Sequence, residues 1–149
     1  MYNMNNVTMP TANIPRPLPW AGQAINSNFG VQYDAFSQPS VLVPFKSGVY
    51  KFEVTLQVSR SSGGSNQQIS SWFRYNGNDI PYSNVHINTV ANSNYLVVQY
   101  SVIVNMNAYD NVQVMWSVTD TAIYLQAEPN NTGVPHPHTP SCRLLITNV

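Results

Sequence analysis

Charge is what this sequence has least of. Its 149 residues include six basic and six acidic side chains, 8% of the chain, and the formal net charge at pH 7 is zero. A soluble domain is usually about one-quarter charged. A neutral chain has no basic field with which to hold nucleic acid and no polybasic run for an anionic membrane, so neither is expected as a partner. It also lacks the high net charge that keeps a chain unfolded. The single cysteine, Cys142, excludes an intrachain disulfide and with it a disulfide-stapled scaffold. Lys and Glu, both strong helix formers, occur twice each, and no segment carries a convincing helical periodicity. No apolar run approaches the ~20 residues that span a bilayer. Met1 to Trp20 has no basic region followed by an apolar block, so no signal peptide is expected.

In place of charge stand 19 Asn, 15 Ser, 18 Val and 9 Tyr. Val and Tyr favour strands, and Asn and Ser favour turns. The length suits one domain with a real core. Residues 1–20 differ from the rest: Pro10, Pro15, Pro17 and Pro19 fall close together, and proline fixes φ and removes donors. Two readings stand, an extended arm with little core of its own and a disordered tail. The spaced apolar residues Tyr2, Met4, Val7, Met9, Ile14, Leu18 and Trp20 favour an arm that docks on another molecule, with the folded domain over 21–149.

From residue 29 onward strands and turns succeed one another. Tyr50, Phe52, Val54, Leu56 and Val58 alternate with Lys51, Glu53, Thr55, Gln57 and Ser59, a period of two with one buried face. Asn76-Gly77 is a strong hairpin signal, because both residues tolerate positive φ. Further strands are expected over 69–75, 82–90, 95–106, 112–118, 122–127 and 142–148. Eight or more short strands with Gly, Asn and Pro turns predict an all-β sandwich or barrel. A single jelly-roll β-sandwich suits the count. An immunoglobulin-like sandwich is the alternative, without its Cys–Trp–Cys framework.

Little in the chain suggests catalysis. Asp34, Asp79, Asp110 and Asp120 sit at expected turns, where Asp holds local amides. No Gly-x-Ser-x-Gly elbow occurs, and His86 lies mid-strand without a marked neighbour. Cys142 reads as an activated thiol or as a small buried hydrophobe. His136 and His138, two apart in extended chain, point the same way and form a weak metal candidate; an exposed proline loop that happens to carry His is the other reading. No enzyme activity, no cofactor and no metal are expected.

Three segments resemble a known family. Pro44 and Phe45-Lys46-Ser47-Gly48-Val49-Tyr50-Lys51-Phe52 are similar to an element of the tumour-necrosis-factor-like jelly rolls, which include complement heads. Val104 to Val114 resembles another, with Tyr109 where glycine is usual. Trp72, Asn76, Gly77, Ile80, Pro81, Ser83 and Asn84, with Pro140-Ser141, resemble the subset found in virion proteins of tailed bacteriophages, cyanophages included. The resemblance covers roughly residues 40–149 and implies a homotrimer without enzymatic activity. Apolar residues on second strand faces, Tyr95, Val97, Ile103, Met115 and Leu145, ask for the cover that a subunit interface supplies. The expectation that follows is a capsid decoration or cement protein on the outer surface of a phage head, its arm docked on the major capsid protein. The alternative is a tail or head fibre tip that binds a host receptor or glycan.

Overall fold

A computed structural model describes residues 1–23, 28–63, 65–89, 96–130 and 136–149. Its strands are β1 (Tyr2–Asn3), β2 (Val7–Thr8), β3 (Arg16–Pro17), β4 (Phe29–Tyr33), β5 (Pro39–Pro44), β6 (Gly48–Arg60), β7 (Gln67–Tyr75), β8 (Asn78–Asp79), β9 (Val85–Thr89), β10 (Leu96–Met106), β11 (Val112–Val118), β12 (Ile123–Leu125) and β13 (Cys142–Asn148). They form two antiparallel sheets, so the protein is all-β. None of the described residues is helical, and none forms a helix long and apolar enough to cross a membrane.

One sheet is organised around β6. Its 13 residues pair with β10 along one edge, and with β13 and then β12 along the other. The alternation read in the sequence is the reason. Tyr50, Phe52, Val54, Leu56 and Val58 are all buried, while Lys51, Glu53, Thr55 and Gln57 take the opposite face. The second sheet runs β4-β5-β11-β7, with β8 and β9 on the outer side of β7 and β3 beside β11. Aromatic rings carry the core across both sheets: Phe29 lies 5.0 Å from Tyr50 and 5.8 Å from Phe52, Phe52 6.0 Å from Phe73, and Phe73 5.4 Å from Tyr100. Edge contacts of this kind add to the burial of each ring.

Turn chemistry closes the sheets. Asn76 and Gly77 take φ of 46° and 81°, the positive pair that a two-residue hairpin requires between β7 and β8. Gly63 has φ of 110°, and a Cβ there would meet Nη2 of the buried Arg60 at 2.2 Å. Tyr109 takes φ of 68°, and its amide donates to the Pro44 carbonyl at 2.8 Å. That conformation explains the glycine usual at this place in the resembled family, and Tyr109 holds it against the steric preference of a bulky residue.

Residues 1–20 correct the expectation of an arm without a core. They run along the sandwich as three two-residue strands, β1 on β13, β2 on β12 and β3 on β11. Amides of Asn13, Leu18 and Trp20 donate to carbonyls of Val118, Val114 and Pro39, each at 2.8 Å. Val7, Met9, Leu18 and Trp20 are buried in the main core. The prolines fit because an edge segment has few ladder donors to supply. Of the seven spaced apolar residues, only Ile14, 47% exposed, and the half-buried Tyr2 and Met4 keep side chains at the surface.

Candidate interaction surface

Strand β10 is the longest edge strand among the described residues. Among the described residues no strand pairs with it except β6. Its inward side chains Val98, Val102 and Val104 are only half-buried, although they point toward the core. Among the described residues no strand lies beyond them. A long apolar edge of this kind presents free backbone donors and acceptors to any strand that meets it.

The outward face of the same sheet carries the other part of the surface. Register places Ile103 beside Lys51 and Thr147, and Ser101 beside Glu53 and Leu145, so Ile103 and Leu145 flank β6 diagonally. Val97, Ile103 and Leu145 are 62%, 62% and 59% exposed. Between them Lys51 Nζ meets Glu53 Oε2 at 2.8 Å, and Gln99 Nε2 donates to Glu53 Oε1 at 2.7 Å. The Lys51 contact, then Gln99, holds the Glu53 carboxyl below its usual range. That pair is thereby neutral, and Arg143, exposed on the same face two residues from Leu145, adds one positive charge to the face. Beside Leu145 a groove of about 960 Å³ runs between β13 and the first residues, with Met1, Tyr2 and Met4 on its wall.

The expected interface residues divide on this geometry. Val97, Ile103 and Leu145 share one face. Tyr95 lies outside the described residues. Met115 is corrected: at 3% exposure, between Pro17 of β3 and Trp72 of β7, it is covered by its own chain and has no surface to offer a partner.

The chemistry-bearing residues are dispersed. Cys142 is 1% exposed, and burial pushes its thiol up to about 12, which suits the small buried hydrophobe. His138 is exposed, and His136 Nδ1 lies 2.8 Å from the Pro137 carbonyl of its own loop. Among the described residues no group of three or more His, Cys, Asp or Glu side chains converges on a metal-sized space. One pair went unread in the sequence. Ser70 Oγ lies 2.7 Å from His86 Nδ1, because β7 and β9 place the two side by side in register. No carboxylate is among the described hydrogen-bond partners of that His, and the pair is exposed on a sheet face. Among the described residues no acidic group orients the imidazole, as the third member of a catalytic triad would.

The motif residues of the resemblance do structural work. Trp72 Nε1 and Arg74 Nε both donate to Asp79 Oδ1, at 2.8 and 2.7 Å, across the hairpin. Ser83 Oγ donates to the Ile80 carbonyl at 2.8 Å and accepts from the Phe73 amide at 3.0 Å. Asp110 accepts from the Tyr75 hydroxyl, from Asn76 Nδ2 at 3.0 Å and from the Asn107 amide at 2.7 Å. The Tyr75 contact foremost holds its carboxyl below the ordinary carboxylate range. No protein-family model and no curated protein matches the chain.

Proposed function

We propose that this chain is a self-associating structural subunit, a homotrimeric jelly-roll protein that decorates the outer surface of a tailed-phage head. The uncovered β10 edge, with Val97, Ile103 and Leu145 on the adjoining face, carries the reading. The occupant of that surface is a second copy of the chain. The face carries the internally neutralised Lys51–Glu53 pair and Arg143, and the chain has zero formal net charge, so repulsion between identical copies is small.

The connectivity supports the jelly-roll part. After β6 the chain crosses to the second sheet for β7, β8 and β9, returns for β10, crosses again for β11, and returns for β12 and β13. Alternation between two sheets of this kind is the jelly-roll pattern. The phage-head part rests on the motifs of residues 40–149. Docking on the major capsid protein does not fall to Val7, Met9, Leu18 or Trp20, which are buried. Among the spaced apolar residues of that segment Ile14, 47% exposed, is left free for it.

Light scattering of the purified chain tests the association. The expected mass is that of three 16.6 kDa chains. Ile103→Lys with Leu145→Lys is expected to weaken association roughly tenfold or more while leaving the fold's circular dichroism unchanged. A wild-type monomer at all concentrations overturns the reading. Copy number in purified particles tests the location: a number that scales with shell area supports decoration, and a few trimers per particle points to a fibre tip.

A further inference from the structure

Where the first twenty residues cross the side of the sandwich they enclose a second recess, a cleft of about 470 Å³ reached by β2, β3 and the turn between β4 and β5. It shares none of Val97, Ile103 and Leu145 with the proposed interface. Arg16 stands opposite Trp116 in the β3–β11 pair, so its side chain leaves the strand on the side of the buried indole. The guanidinium carbon sits 3.9 Å from the centre of the Phe36 ring. Its Nε is buried without a hydrogen-bond partner, and none of the three ion pairs among the described residues includes Arg16.

The one carboxylate on the cleft wall is already engaged. Asp34 Oδ1 accepts from the amides of Phe36 and Gln38 at 2.8 and 3.0 Å, and Oδ2 from Ser40 Oγ at 2.6 Å. A recessed guanidinium is ordinarily paired, and its planar fork of donors matches a carboxylate. Around it the cleft offers uncommitted amides. The side chains of Asn5 and Gln38 make none of the described hydrogen bonds, and Asn6 uses only Oδ1, which accepts from the Ala127 amide at 2.8 Å. An amide both donates and accepts, which suits the vicinal hydroxyls of a sugar. Phe36, 52% exposed, adds an apolar surface for the ring's C–H groups.

We infer that this cleft binds a carboxylated sugar, a hexuronate unit, with Arg16 on the carboxylate and the amides of Asn5, Asn6 and Gln38 on the hydroxyls. The volume falls in the range of small-molecule sites.

Calorimetric titration of the full chain with galacturonate, glucose and acetate tests it. Galacturonate is expected to bind, with glucose and acetate each roughly tenfold or more weaker. Arg16→Gln is expected to lower galacturonate affinity roughly 10- to 100-fold. Should that variant fail to melt cooperatively, Gln38→Ala, at an exposed position, carries the test with a loss of roughly fivefold. Glucose binding as tight as galacturonate overturns the role of the carboxylate, and acetate binding as tight overturns the sugar. A folded chain that binds no galacturonate overturns the site.

Discussion

The first twenty residues and strand β10 treat the edges of the sandwich in opposite ways. The N-terminal segment closes edges. Its three two-residue strands lie on β13, β12 and β11, and Val7, Met9, Leu18 and Trp20 fill the core behind them. Strand β10, 11 residues long, apolar on its inner face and partly apolar on its outer one, leaves its own edge without a described partner. An edge that folding needs shut is shut by the chain itself. An edge left open along that length is available for pairing, and natural proteins otherwise blunt such edges with charge, proline or a bulge. None of the β10 residues is charged or proline.

The sharpest way to break this contrast is to remove a core side chain from the N-terminal segment. Trp20→Ala is expected to cost about 3–5 kcal/mol in urea unfolding, because it empties a large buried site. A loss under about 1 kcal/mol would return residues 1–20 to the status of a loose arm. Trp20→Phe sharpens the point. The buried Nε1 has no partner among the described residues, so losing that donor is nearly free, and the swap is expected to cost less than about 1.5 kcal/mol.

An intermediate effect is expected at the turn that joins β10 to β11. The Asp110 carboxyl is held below its ordinary value of 3.8, chiefly by the Tyr75 hydroxyl. A depressed carboxylate contributes stability that is fully present above the ordinary value and is lost as pH falls through the folded one. The melting temperature is therefore expected to be flat from pH 7 to 5 on this account and to drop below about pH 4. Asp110→Asn should lower it at pH 7 and shallow the acid drop. An unchanged acid limb would remove Asp110 from the mechanism that anchors the end of β10.

The smallest effect sits one residue earlier. Tyr109 is 74% exposed at a φ of 68°, so little packing is lost when it is replaced. Relief of left-handed strain outweighs the added entropy of glycine in the unfolded chain, and Tyr109→Gly is expected to stabilise by up to about 1 kcal/mol. Thermal melts resolve the sign, and destabilisation would show that the phenol ring packs more than its exposure implies.

Strand β6 and the Asn76-Gly77 hairpin were legible in the sequence because each is written in neighbours: an alternation of period two, and two residues that tolerate positive φ. Other features are assembled from residues far apart in the chain. Ser70 and His86 meet through a strand register that no local pattern announces. Arg16, Phe36 and Gln38 enclose a cleft with Asn5 and Asn6 only because two loops and the first strands arrive at one side of the sandwich. Met115 sits on the second face of β11, where an apolar residue reads as an interface candidate until β3 and β7 are seen on either side of it.

Within the first twenty residues, proline and spaced apolar side chains could equally describe a segment that docks on another molecule or one that docks on its own domain. Nothing in their order separates Met9, which is buried, from Ile14, which is not. The sequence by itself determined that the chain forms strands, that its turns are built from Asn, Ser, Gly and Asp and that it has no intrachain disulfide, since each of these follows from residue type and short-range spacing. The tertiary structure alone decided which edges close and which stays open. A strand edge is closed by backbone groups arriving from elsewhere in the chain, and only the folded path brings them there.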